Sequence, residues 1–272
     1  MKTPLTFLLS LTFLFLFSGS VYGDDLQEGL DAFERKDYET AYKLFASLAE
    51  QGVAEAQYGL GLLYILGDGV PQDFKEAFKW WKLSAEQGDA LAQYRLGEMY
   101  GKGEGVQQDY KEEVKWYRLS AEQGYEKAQY ILGFLYFIGH RVPKDYKEAV
   151  KWFRLSAEQG HVGGQDNLGL MYENGQGVPK DYVSAHMWFN LAASSGMESI
   201  IKYRDNLEKK MSPQQIVEAQ RLARNWKPKQ PNKRIRTAES PPPQPFTPQP
   251  PKSKESAIAT GTGFLFGSQD YI

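Results

Sequence analysis

The chain has 272 residues, 42% hydrophobic and 24% charged, with a formal net charge of −2, which excludes a disordered chain and a polybasic nucleic-acid binder. The charge is unevenly divided: residues 227–256 hold 7 Lys/Arg against 2 Asp/Glu, leaving a net of −7 elsewhere. The lack of cysteine excludes disulfides, thiolate metal sites, a Cys nucleophile and a lipid-modified N-terminal Cys, and His140, His161 and His186 are the only imidazoles.

Residues 1–23 read as a signal peptide. Lys2 supplies a basic start, Leu5 to Phe17 form an apolar run, and Val21-Tyr22-Gly23 offers a small residue at a cleavage point, so the mature chain is expected to begin near Asp24. A run of 13 residues falls short of the ~20 that span a bilayer. No stable membrane insertion is expected after cleavage, and the mature protein is expected in the periplasm or outside the cell.

From Asp24 to Trp226 the chain is periodic. Gln-Gly recurs at Gln51-Gly52, Gln87-Gly88, Gln123-Gly124 and Gln159-Gly160, with Ser195-Gly196 in step, at intervals of 36 residues. The same interval separates Leu60-Gly61, Leu96-Gly97, Leu132-Gly133 and Leu168-Gly169, then Tyr64, Tyr100, Tyr136 and Tyr172, then Trp80, Trp116, Trp152 and Trp188. A fixed period of this size means a solenoid, in which each unit buries its apolar face against its neighbours.

Each period reads as two helices. Asp73, Asp109 and Asp145, each followed by Glu three residues on, are N-cap signals. They open a second helix, Asp73 to Gln87 in the first copy, whose buried stripe is predicted to carry Trp80, Leu83 and Ser84 and which ends at Gly88 in a left-handed turn. The first helix of the next period is predicted from Ala90 to Lys102, stopping at Gly103, with Ala92, Leu96 and Tyr100 on one face and Gly97 allowing close approach. Residues 26–52 keep only part of the pattern, as a terminal repeat should. Ser212-Pro213 opens a last helix with Ile216, Ala219, Leu222 and Ala223 as its apolar stripe.

The pattern A-x-x-x-L-G-x-x-Y-x-x-G-x-G-V-x-x-D-x-x-x-A-x-x-W-x-x-x-A-A-x-Q-G resembles that of the Sel-like repeats, relatives of the tetratricopeptide repeats. It matches Ala56 to Gly88 and three further copies through Gly196. The departures are Arg141 for the second loop Gly, Glu113 for a packing Ala, Gly164 for a helix Ala, and Ser84, Ser120 and Ser156 for the first Ala of a pair. They are expected to weaken individual repeats and leave the architecture intact. The fold class is therefore all-α: an α-solenoid superhelix of 36-residue helix-turn-helix repeats, followed by a Pro-rich disordered tail.

Nine of the chain's 14 prolines lie in residues 227–256, which reads as a basic linker unable to form helix or sheet. Residues 257–272, with Gly261-Thr-Gly-Phe-Leu-Phe-Gly267, read as a truncated β-hairpin or a disordered tail. They resemble the first hairpin of trypsin-like serine peptidases of the bacterial envelope type. The chain stops before any catalytic His, Asp or Ser of that family, so it is not expected to be an enzyme.

No phosphate loop, dinucleotide fingerprint or metal-ligand spacing is present, so no cofactor, metal or catalytic residue is expected. Function must then come from surface. Residues that vary between periods on one helix face are free to serve a ligand, and on the first helices this register holds Tyr58, Leu62 and Ile65, then Tyr94, Glu98 and Gly101, then Tyr130, Phe134 and Phe137, then Asp166, Leu170 and Glu173. The resemblance implies that first helices line a concave surface, making Tyr58, Leu62, Tyr94, Glu98, Tyr130, Phe134, Phe137, Leu170 and Glu173 a candidate protein-binding groove. Alternatively, Tyr58, Tyr94 and Tyr130 pack between neighbouring repeats. The chain is expected to be an exported scaffold for a protein or peptide ligand and to bind no nucleic acid. The alternative is the regulatory or substrate-recruiting arm of a peptidase whose catalytic domain lies elsewhere.

Overall fold

The computed structural model describes residues 23–230. The expected signal peptide before residue 23, the linker beyond residue 230 and the hairpin-like end lie outside the described residues. Every regular element among the described residues is helical. Helix α1 covers residues 23–34, and α2 (Tyr38–Glu50), α3 (Ala54–Leu66), α4 (Phe74–Glu86), α5 (Ala90–Lys102) and α6 (Tyr110–Glu122) follow. Next come α7 (Glu126–Ile138), α8 (Tyr146–Glu158), α9 (Val162–Asn174) and α10 (Tyr182–Ala192), a 3-10 turn over Ala193–Ser195, then α11 (Glu198–Glu208) and α12 (Pro213–Asn225). The odd and even helices up to α10 are the first and second helices of five repeats.

The boundaries follow from local chemistry. Asp73, Asp109, Asp145 and Asp181 each take two backbone N–H groups of the first turn of the even helices α4 to α10. Gly67, Gly103, Gly139 and Gly175 end α3, α5, α7 and α9 in the left-handed region, at φ between 70° and 74°. Ser212 caps α12 in a full capping box with Gln215, behind Pro213.

The buried face of the second helices keeps the predicted serine and, at Trp116, Trp152 and Trp188, the predicted tryptophan, but leaves out the predicted leucine. Leu83, Leu119 and Leu155 are exposed, and Trp80 is only half-buried. In α4 the buried residues are Ala77, Trp81, Ser84 and Ala85. The most deeply buried ring of each repeat is the residue after the recurrent tryptophan: Trp81, Tyr117, Phe153 and Phe189, all 5% exposed or less. Each lies on the helical glycine of its own repeat. A Cβ on Gly97 would stand 2.6 Å from Tyr117 Cδ1, and one on Gly133 or Gly169 2.7 Å from Phe153 or Phe189. The glycine series thus admits an aromatic ring into the groove of the first helix. The Tyr64 series is likewise half-buried: Tyr136 and Tyr172 hydroxyls accept from Arg118 and Arg154 of the preceding repeat at 2.7 and 2.9 Å.

The serine departures strengthen the repeat. Ser84, Ser120 and Ser156 are fully buried and their hydroxyls donate to the carbonyls of Ala54, Ala90 and Glu126 at 2.6–2.9 Å, tying the two helices of one repeat at their ends. Beside them runs a glutamine relay. Gln87, Gln123 and Gln159 donate to Gln57, Gln93 and Gln129 within a repeat, and those donate to Ala49, Ala85 and Ala121 of the preceding one. Satisfied polar groups in a dry interior fix register, because any slip would leave them unpaired.

At the C-terminal end α10 packs on both α11 and α12. Phe189 stacks on Tyr203, and the buried His186 meets Glu208 at 2.7 Å. Trp226, at the end of the solenoid, lies edge-on to Trp188, and the start of the expected linker folds back, with Lys229 donating from its backbone to the Glu158 carbonyl and from Nζ to the Glu158 carboxylate.

Candidate functional site

The variable register of the first helices lies on α3, α5, α7 and α9, and its residues differ in accessibility. Tyr58 is 6% exposed and stacks on Trp81, whose indole N–H donates to the Tyr58 carbonyl. Tyr94 packs on Tyr117 of its own repeat and on Tyr125 of the next, at ring distances of 5.5 and 5.2 Å. Tyr130 does the same with Phe153 and His161. These three tyrosines bridge neighbouring repeats, and burial holds the Tyr58 and Tyr94 phenols above their ordinary range.

One helical turn on, Leu62, Glu98, Phe134 and Leu170 are half-exposed. Glu98 is paired with Arg95 at 2.8 Å, and the Arg95 guanidinium lies 5.7 and 5.9 Å from the Tyr94 and Trp81 ring centres. Phe137 leans on Tyr146 and Phe153, while Glu173 is bound by Lys210 from beyond α11. Asp166, in register with the tyrosines, has a buried Oδ1 without a hydrogen-bond partner, and burial pushes its carboxyl up to about 6. The stripe therefore joins aliphatic and aromatic side chains to two carboxylates, Glu98 and Glu173, that the protein's own cations hold.

The three histidines do not meet. His140 is exposed in the α7–α8 loop, His186 is buried beside Glu208, and His161 caps α9 by accepting the Gly164 N–H at Nδ1. Among the described residues no group of three or more His, Asp or Glu is placed to hold a metal ion, and no helix is long and apolar enough to cross a membrane.

Two departures from the repeat pattern come together. Glu113, 2% exposed on α6, forms an ion pair with Arg141 in the α7–α8 loop. The Arg141 guanidinium also lies over the Tyr110 ring, 4.5 Å from its centre. Read along one chain they are 28 residues apart, and their signal is that each replaces a small residue in adjacent repeats. Each looked like damage alone; together they neutralise one another.

Five helix pairs joined end to end, with side chains bridging successive pairs, define a helix-turn-helix solenoid. The Sel1 repeat family model matches residues 22–53, 54–89, 90–125, 126–161 and 163–197, and the chain belongs to that family. Such repeats generally mediate protein–protein binding, and the fold is typically a non-catalytic scaffold. The chain is similar to a Sel1 repeat protein from Oxalobacter formigenes (37% identity, TM-score 0.60), over 62% of this chain and 49% of that one. It is also similar to a protective antigen present in uropathogenic Escherichia coli strains, which displays an SLR fold (34% identity, TM-score 0.63, 82% of this chain and 46% of that one). The chain spans about half the length of each. No curated protein matches it.

Proposed function

We propose that the protein is an exported scaffold that takes a protein or peptide ligand along the stripe of its first helices, and that it performs no catalysis of its own. The observation that carries this reading is the contrast between registers. Leu60, Leu96, Leu132 and Leu168 are invariant and buried, whereas Leu62, Glu98, Phe134 and Leu170, two positions on, change from repeat to repeat and stay half-exposed. Packing accounts for the first series and not for the variety of the second. Aromatic and aliphatic side chains in a partly open row supply the anchors that dominate interfaces. Because Tyr58, Tyr94 and Tyr130 are committed to packing, recognition falls to Leu62, Glu98, Phe134, Phe137, Leu170 and Glu173. Export rests on the basic start and apolar run of residues 1–23, and predicts an envelope or secreted protein whose N-terminus lies near Asp24.

The test is site-specific photo-crosslinking in cells that express the full chain. A crosslinking residue at Leu62, Phe134 or Leu170 should trap one shared partner, and the same residue at the exposed Leu83, Leu119 or Leu155 of the second helices should not. Crosslinks from the second helices alone would overturn the stripe assignment. N-terminal sequencing of the recovered protein tests export separately.

A further inference from the structure

A third departure from the pattern, in the same repeat as Glu113, lies against that carboxylate. Gly101 stands where other repeats carry Ile65, Phe137 and Glu173, and a Cβ there would meet Glu113 Oε1 at 2.6 Å. The carboxylate of Glu113 thus occupies the space that a side chain at position 101 would fill. In three other repeats Glu113 is replaced by Ala77, Ala149 and Ala185, each fully buried. Room for a carboxylate has been made by a glycine.

Arg141 is the counterpart. Gly69, Gly105 and Gly177, its equivalents, adopt positive φ and press on the backbone of the first residue of the preceding second helix, Tyr38, Phe74 and Tyr146. Arg141 has no positive φ; its guanidinium reaches over the equivalent residue, Tyr110, to Glu113. The pair is incompletely satisfied, since Glu113 Oε2 and Arg141 Nε are buried and have no hydrogen-bond partner. A planar carboxylate opposite an aromatic face, in a space cleared of side chains, is the chemistry that receives a guanidinium.

We propose that Glu113, Tyr110 and the gap at Gly101 form a guanidinium-binding pocket that Arg141 occupies in cis, and that an arginine side chain of a partner can enter only by displacing it. A buried carboxylate stripped of its counter-charge is costly, which is why the pocket is filled in the free protein. Arg141 retains 24% of its side-chain exposure and is carried on a loop, so it can leave without unfolding a helix. Burial pushes the Glu113 carboxyl up to about 7 against the pull of Arg141, so the pocket binds cations best above that pH. The pocket stands independently of the stripe assignment, because its test needs no partner.

The test uses methylguanidinium on the full chain at pH 8. Arg141→Gly installs the residue found at this register in three other repeats, and Glu113→Ala does likewise. In Arg141→Gly, methylguanidinium should raise the melting temperature saturably above a sodium chloride control of equal ionic strength. The Glu113→Ala/Arg141→Gly protein should show no such rise. Wild type should need a roughly tenfold or greater concentration, because the tethered Arg141 competes at high effective concentration. If Arg141→Gly is unfolded in sodium chloride, recovery of its helical signal by methylguanidinium is the supporting result. An unsaturable or absent response in Arg141→Gly, an equal response in the double variant, or an equal response to methylammonium would overturn the proposal.

Discussion

His161 shows how one residue couples burial to pH. Its Nδ1 caps α9 by accepting the Gly164 N–H at 3.1 Å, so that nitrogen must be unprotonated. Burial, and then the nearby Lys127, push the imidazole down to about 4 from its ordinary 6.5. Between those values the unfolded chain binds the extra proton and the folded chain does not, so this contribution is complete above about pH 6.5 and is lost as pH falls towards 4. His161→Asn keeps a capping oxygen and removes the titration. The variant should melt close to wild type at pH 7.5, and the gap should move in its favour as pH drops from 6.5 to 4.5 in thermal melts. A constant gap would mean that the cap does not titrate.

At the same scale, some of the chemistry was legible in the sequence and some was not. The capping aspartates and terminal glycines act on backbone groups within a few residues, so type and position alone reveal them. The serines read as flaws because their partners, the Ala54, Ala90 and Glu126 carbonyls, lie 30 residues away. Glu113 and Arg141 are the same case, since a charge in an alanine position makes sense only once its counter-charge is placed.

The helix as an element depends on its ends. Asp109 accepts from the Lys111 and Glu112 backbone N–H groups at 2.8 and 3.2 Å, and the even helices α4 to α10 share this device. Asp109→Ala should cost about 1 kcal/mol, within the ~0.5–2 kcal/mol seen for lost N-caps. Urea unfolding should show the loss, and Asp109→Asn, which keeps the acceptor, should recover most of it. An Ala variant as stable as wild type would show that packing alone sets this helix start. Which face an element buries was less legible than where it begins. Tryptophan recurs at Trp80, Trp116, Trp152 and Trp188 and draws attention to itself, whereas the core ring next to it changes identity from Trp to Tyr to Phe. The recurrent tryptophan is buried in three of the four copies, and Lys79, Lys115 and Lys151 lie 4.8–5.1 Å from the ring centres of Trp80, Trp116 and Trp152.

The candidate groove divides along the same line. Variation between repeats marks the register, but exposure depends on which aromatic of the neighbouring element fills the space beside it. Tyr94 is enclosed because Tyr117 and Tyr125 approach from two sides, and only the three-dimensional stacking of repeats brings Tyr125 there. Leu62, Phe134 and Leu170 escape that fate one turn further along their helices.

For the whole molecule, stability is a sum over repeats and their interfaces, so damage should be graded with distance from its origin. Phe153 is the sharpest probe. It is fully buried in α8, fills the space left by Gly133 on α7, and touches Tyr130 and Phe137. Phe153→Ala should cost roughly 3–5 kcal/mol, because the glycine opposite offers no side chain to collapse into the cavity. The loss cannot spread evenly through a chain whose repeats meet only in succession. Hydrogen exchange should therefore show the largest loss of protection in α7, α8 and α9, a smaller one in α6 and α10, and near-native protection in α2 and α3. The glutamine and serine bonds at each junction set how far the effect travels, since a repeat that opens leaves the Gln129 and Gln165 amides unpaired at its borders. Uniform loss from α2 to α12 would mean that the solenoid opens as one unit, with interface terms much stronger than the repeats themselves.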